Sequence, residues 1–421
     1  MAEVNCDAVD IAIVGGGIAG LAAAAALADS GRTVAVLEAR ELPQQMPGMG
    51  IAPEDYDSRV SALTPRSIGF LKQLGAWPAI EEARTCPYQH MTVWDAEGTG
   101  RIEFDAQEVS ADSLGSIVEN RVITAALAQQ VRTLPGVRVM APARLADIQR
   151  LGLQESSHDD ANGSEEGSEE TLLELEDGIK LRCRLLIAAD GALSPTRDLL
   201  GMRTREWEYG HRAIVTTVAF ERGHQDTAWQ RFLQSGPLAL LPLQSPEDKA
   251  CSIVWSIEEH LADELLAMDD EAFAEALGQA SEYALGKVTA CAPRMAFPLR
   301  QRHAVDYILP GVALVGDAAH TIHPLAGQGI NLGLADVQVL AEELDTALHR
   351  GLSPGRVDVL SRYQRRRKGD NLAMMAAMDG FKRLFEQEAP PLRWLRNTGM
   401  RAIAGLPRVK RQIIRQAMGV G

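Results

Sequence analysis

The 421-residue chain is poor in cysteine, in net positive charge and in long apolar runs, and each shortage removes a class of function. Its five cysteines (Cys6, Cys86, Cys183, Cys251, Cys291) are odd in number, widely spaced and without a Cys-x-x-Cys pair. Neither a disulfide framework nor a metal site is expected, and a reducing compartment is. A formal charge of −15 argues against nucleic acid as a partner, because phosphate-binding domains are normally basic. No apolar run approaches the roughly 20 residues of a membrane span. The opening MAEVNCDAVDIAIVGGG lacks the regions of a signal peptide, so a cytoplasmic location is expected.

What charge there is lies unevenly. Gly380 to Gly421 holds nine Lys or Arg against two Glu, which is +7 of the total of −15 and leaves −22 for the first 379 residues. Leu, Ile, Val, Phe and Trp are interleaved with those cations. Such a tail suits a helix lying on an anionic bilayer or a partner protein, and equally a helical cap with a solvated basic face. Gln154 to Glu170 is the opposite case, with seven acids, no Lys or Arg and several Ser and Gly. It reads as a flexible loop between two strands.

The first chemical motif is DIAIVGGGIAGLAAAAALADSGRTVAVLEAR. Asp10–Val14 reads as a short buried strand, Gly15, Gly17 and Gly20 follow at G-x-G-x-x-G spacing, and an Ala-rich helix comes next. Gly15 permits the tight turn, Gly17 lets a pyrophosphate approach the backbone, and Gly20 allows helix and strand to touch. The helix N-terminus holds phosphate through free N–H groups and its dipole. A second strand, Thr33–Leu37, ends in Glu38, where a carboxylate can accept the hydroxyls of an adenosine ribose. NAD and FAD both fit this unit.

A second corner discriminates between them. GVALVGDAAHTIHPLAGQGINLGLAD contains a strand, Val312–Val315, followed by Gly316-Asp317, which puts a carboxylate at a strand end. That acid can bond a ribityl chain, which NAD does not have. Gly327 and Gly329 then lead a helix starting near Ile330, so that backbone N–H groups of Ile330 and Asn331 face whatever lies in front of it. A reduced isoalloxazine, anionic at N1 and C2, would be stabilised there.

These motifs, together with LLIAADGALSPTRDLLG and its Asp190-Gly191 pair, resemble the three fingerprints of the single-component, class A flavin aromatic hydroxylases, in the same order. Arg59 in DSRVSAL and Arg121 in ENRVITAAL are similar to flavin-contacting arginines of that family. DSRVSALTPRSIGFLKQLGAW, LGSIVENRVI and LPRVKRQIIRQAMG resemble more narrowly the hydroxylases of bacterial ubiquinone biosynthesis, nearest to the branch acting on 2-polyprenylphenol.

The resemblance implies an α/β chain with a Rossmann-like, p-hydroxybenzoate hydroxylase-like FAD-binding fold, interrupted by a β-rich substrate lobe and followed by a helical C-terminal region. The FAD domain is assigned to 1–88, 115–205 and 295–345, with 154–170 as its acidic loop. The lobe is assigned to 89–114 and 206–294, and the helical region to 346–421. FAD is the implied cofactor, NAD(P)H or another reductase system the electron donor, and O2 the co-substrate. A ring hydroxylation through a flavin C4a-hydroperoxide would act on a polyprenylphenol, at the inner-membrane surface or within a quinone-biosynthetic complex. His323 and Pro324 are candidates to line the reactive edge, whereas His320 reads first as a structural hydrogen-bonder beneath the flavin. GPLALLPL and CSIVWSI would line a prenyl tunnel or form plain sheet core.

Other classes stay open at this point. A flavin halogenase lacks its Trp-x-Trp-x-Ile-Pro signature here, and an NAD dehydrogenase would leave GDAAH without a task. A later ring hydroxylation, another phenolic substrate, a prenyl reductase and a flavin-bound scaffold remain as alternatives.

Overall fold

The computed structural model describes residues 6–96, 98, 100–151, 170–321, 329–386, 397–399, 402–403 and 405–419. Twelve elements position the site. In chain order they are β1 (Asp7–Val14), α1 (Ile18–Leu27), β2 (Val34–Leu37), β3 (Val60–Leu63), β4 (Gly115–Glu119), β5 (Lys180–Ala188), β6 (Thr204–Phe220), β7 (Met295–Ala304), β8 (Val312–Leu314), α2 (Gly329–His349), α3 (Val357–Glu386) and α4 (Pro407–Ala417).

An eight-stranded sheet carries the N-terminal motif. β1 lies between β2 and β5, and β8 lies beyond β5, all in parallel. The chain therefore leaves β1 to one side for β2 and returns on the other with β5 and β8. That reversal opens a crevice at the carboxyl end of β1, where doubly wound sheets bind ligands. Ile11 and Ile13 pack under α1 and α2 on one face, while Ala12 and Val14 join Leu173, Leu181 and Leu186 on the other. Burial on both faces is why these strands read as continuous apolar runs. α1 is built from IAGLAAAAAL, whose methyl side chains propagate helix well and allow close approach to the sheet.

A nine-stranded sheet forms the second body, with β6 and β7 antiparallel near one side. Helices Glu259–Ala267 and Asp270–Ala280 cover it through Ala262, Leu265, Phe273 and Leu277. β3, β4 and the short strand Cys86–Tyr88 make a three-stranded sheet between the two bodies.

Two boundaries differ from the sequence reading. Residues 295–304 were assigned to the cofactor domain, but β7 pairs along β6 and belongs to the nine-stranded sheet. MAFPLRQRHA is apolar in its first half and polar in its second, with no alternation that selects either body, and only pairing decides. β6 itself begins at Thr204, ahead of the assigned start at 206. GPLALLPL and CSIVWSI alternate between two cores. Leu238, Leu240, Ile253 and Trp255 pack beneath the covering helices, and Ala239, Leu241 and Leu243 pack against Tyr56 and Ile117. These runs are sheet core. The acidic segment 154–169 lies outside the described residues.

Candidate functional site

The first glycine turn separates two kinds of constraint. Gly15 has φ of 110°, and a Cβ there would sit 2.3 Å from the Ala189 carbonyl oxygen. A Cβ on Gly20 would fall 1.8 Å from the Gly15 carbonyl oxygen. At Gly17 a Cβ would meet nothing within 4 Å. Gly15 and Gly20 are thus required by the protein itself, while Gly17 fronts open space. α1 starts there with no capping side chain and no acid in its first turn, leaving a positive helix end undecorated. Glu38 accepts from the N–H of Gly16 at 2.6 Å and of Arg40 at 2.9 Å, which fixes its carboxylate beside the turn. A carboxylate has about four acceptor sites, so two remain for another donor.

The second motif meets the first directly. β5 leads to Asp190 and then Gly191, whose φ is 88°. Asp190 accepts from the Thr196 N–H at 2.9 Å with Oδ2, while its buried Oδ1 has no partner. An orphaned buried acceptor next to the open Gly17 turn fits a ligand that brings a donor. Arg197, 4% exposed, donates to the carbonyls of Ala192 at 3.1 Å and Ala318 at 3.0 Å, tying this turn to the third motif.

That third motif closes the crevice. Gly316 has φ of 59°, and a Cβ on it would lie 3.2 Å from Cβ of Ala19 and 3.7 Å from Cα of Gly333. α1, the 316–318 turn and α2 therefore converge where only methyl groups and glycines fit. Asp317 is open to solvent but ringed by protein. Desolvation pushes its carboxyl above the ordinary value, against the opposing charges of His320 and Arg59. Arg59 is exposed with its guanidinium 5.5 Å from the Phe297 ring centroid, and Phe297 is itself 37% exposed on β7.

At the start of α2, Gly329 faces open space and Ile330 is half-buried. The Asn331 amide accepts from Thr64 N–H at 2.9 Å and donates to the Ala62 carbonyl at 2.7 Å, pinning α2 to the end of β3. Its side chain is thereby committed to the protein. Arg121 donates from Nε to Glu119 at 2.9 Å and from Nη2 to the Asp55 carbonyl, and Arg84 approaches the same buried carboxylate at 2.5 Å. His323, Pro324 and Gly327 lie outside the described residues.

Sequence reading gave no role to Asp336. It is fully buried and accepts from Gly316 N–H at 3.1 Å, Arg367 Nε at 2.8 Å and Asn371 Nδ2 at 3.2 Å, with His320 Nε2 at 2.5 Å. Burial alone would raise its carboxyl, but His320 and Arg367 overcome that and hold it below the ordinary value. His320, 2% exposed, is thus a structural partner of Asp336. The network continues through Tyr307, whose hydroxyl lies 3.3 Å from Asn371 Nδ2 and 3.0 Å from His303 Nε2. Desolvation, with help from the charge of His320, lowers His303 to about 4. The signal in the sequence was an acid inside the apolar run LGLADVQVL, which must find partners if buried. Arg367 and Asn371 lie on α3 and Gly316 and His320 in the turn after β8, and nothing local announces them.

Among the described residues no cluster of metal-ligating side chains occurs and no helix is long and apolar enough to cross a membrane. The arrangement can hold an extended phosphate-containing cofactor along the crevice: an uncapped helix end, a fixed acid, an orphaned acceptor and a second helix start.

Comparison with known proteins agrees. Residues 8–377 match the family described as FAD binding domain. The chain is 39% identical over 411 residues to 3-demethoxyubiquinol 3-hydroxylase of Escherichia coli (strain K12), covering 98% of each chain. It is 35% identical to the mitochondrial ubiquinone biosynthesis monooxygenase COQ6 of Homo sapiens, over 96% of this chain and 91% of that one. Among solved structures, p-nitrophenol 4-monooxygenase PnpA from Pseudomonas putida DLL-E4 superposes with a TM-score of 0.73 at 18% identity, covering 98% of both chains. That likeness speaks for the fold.

Proposed function

Because this chain belongs to the FAD binding domain family, we propose that it is an FAD-dependent monooxygenase that hydroxylates the aromatic ring of a polyprenylated phenol on the route to ubiquinone. The observation that carries the reading is full-length similarity to hydroxylases named for that route, at 35–39% identity. The site supports it through the convergence of the three glycine corners on one crevice.

Bound and reduced, FAD supplies the activation of O2, with electrons from NAD(P)H or another reductase system. Gly15, Gly17, Gly20 and the uncapped end of α1 hold the pyrophosphate, and Glu38 holds the adenosine ribose. Asp190 with Gly191, and Gly316 with Asp317, line the middle of the cofactor. Backbone N–H groups at Gly329, Ile330 and Asn331, after Gly327, receive the far end. Arg59 and Arg121 flank it, and Phe297 beside Arg59 offers an aromatic face to the substrate ring. The location is cytoplasmic, at the inner surface of the membrane that dissolves the substrate.

A second reading is a later ring hydroxylation of the same route. It is favoured by the name of the Escherichia coli relative, a 3-demethoxyubiquinol 3-hydroxylase. The test is extraction of quinone intermediates from bacteria lacking each ring hydroxylase in turn, with and without this chain, by mass spectrometry. Loss of accumulated polyprenylphenol with ubiquinone restored is the expected result. Rescue only in the strain that accumulates demethoxyubiquinol selects the second reading. No rescue in any strain by soluble, FAD-loaded protein overturns both and leaves the scaffold.

A further inference from the structure

We propose that α4 seats this protein on an anionic lipid bilayer. The helix is held to the body by one face only. Ile414 and Met418, 2% and 5% exposed, pack with Ala106 and Leu114, and Lys410 pairs with Glu108 at 2.5 Å. Outward, a helix of a soluble protein should be polar. Here Leu406, Val409 and Ile413 are 52%, 42% and 36% exposed, and their spacing of three and four residues aligns them as one free apolar stripe.

A row of Arg408, Gln412 and Arg415 at the same spacing runs alongside, all exposed. Arg408, Arg411 and Arg415 have no acidic partner among the described residues, and PRVKRQIIRQA contains no Asp or Glu. A stripe of branched aliphatics bordered by unpaired arginines matches the boundary between headgroups and acyl chains. It stands on a chain that is otherwise acidic, so charge complementarity favours this face.

A groove of about 340 Å³ adjoins the helix. Its lining includes Gln416, Ala417 and Gly419 together with Phe70, Thr64 and Asn331, the last two being the pair that pins α2 to β3. A protein lying on lipid through α4 therefore holds this partly apolar groove near the bilayer, with the start of α2 in its wall. This deepens the polyprenyl reading by naming the surface that supplies the substrate, though the docking itself does not depend on it.

The test uses the full flavin-loaded chain and sedimentation with vesicles of phosphatidylcholine alone or with phosphatidylglycerol. The expected result is co-sedimentation with the anionic vesicles only, weakened by salt. Two paired variants, Arg408→Glu with Arg415→Glu and Val409→Asp with Ile413→Asp, should each lower the bound fraction at least about tenfold while flavin content and melting stay unchanged. Wild-type protein left in the supernatant, or variants that bind as wild type does, would overturn the proposal. So would variants that turn a wild-type oligomer into monomer in analytical ultracentrifugation, since the face would then join two copies. No aromatic substrate enters the assay, so failure to hydroxylate polyprenylphenol leaves the outcome intact.

Discussion

The eight-stranded and nine-stranded bodies are of similar size but record their tasks differently. In the first, the parts that face the crevice are largely backbone, with the carboxylates of Glu38 and Asp190 added: the turn at Gly15–Gly17, the start of α1, the Gly316 turn and the start of α2. Backbone can face a ligand only where Cβ is missing or turned away, so binding there is written in glycine. In the second body a substrate would meet side chains, and the exposed Phe297 is written in the same alphabet as the core residues Leu238 and Leu240. A site made of backbone is legible in a sequence; a site made of shape is not.

The largest test of that contrast is Gly20→Ala. Its Cβ would overlap the Gly15 carbonyl oxygen at 1.8 Å, with Cβ of Ala189 at 3.3 Å. We expect more than about 3 kcal/mol of lost stability and little soluble protein, read by chemical denaturation. Near-normal stability would mean that the corner yields more easily than its geometry says.

Next comes Asp336→Ala, which takes from the buried Arg367 its buried carboxylate partner, leaving only the exposed Asp370, and unpins Gly316. Breaking a buried ion pair from one side costs about 3–5 kcal/mol, and flavin affinity should fall as well. A variant that loses stability but keeps its flavin spectrum and affinity would confine Asp336 to the core.

The pH dependence of stability probes the same network. His303 is lowered to about 4 in the folded protein against about 6.5 when unfolded, so between those values the unfolded chain binds more protons. Stability is therefore fully present above about pH 6.5 and is lost as pH falls toward 4, by up to about 3 kcal/mol. His303→Gln should flatten the melting temperature across that window; an unchanged slope would assign the acid sensitivity elsewhere.

Smaller in stability and larger in binding are Gly17→Ala and Asp317→Ala. Gly17 has open space in front of it, so the alanine should fold within about 1 kcal/mol of wild type while flavin content drops. Asp317→Ala should also purify with little flavin, and normal loading would count against its ribityl role. The smallest effect belongs to Phe297→Ala in the second body. Being exposed, it should leave the melt unchanged and raise KM severalfold, and an unaltered KM would remove the aromatic contact.

Legibility followed the same division. Strand, glycine and helix at 10–38 and at 312–331 were readable because the pattern is local and the reason steric. Asp190 could be placed at a strand end, but the contact of Gly15 with Ala189 and of Arg197 with Ala318 joins residues 121 to 174 apart and needs the fold. β7 is placed by its pairing with β6, because MAFPLRQRHA carries no alternation that selects a sheet. Asp336 was readable as an anomaly but not as a hub. His320 could be read as structural from its type and place, and its partner could not.

The meeting of Ala19, Gly316 and Gly333 also sets a schedule for synthesis. The first turn leaves the ribosome roughly 300 residues before the glycines that complete it, on the order of 15–60 s at usual elongation rates. Arg367, which holds Asp336 against that corner, comes later still. For most of its translation the chain carries a half-built nucleotide cradle, so the complete cofactor site belongs to the finished polypeptide.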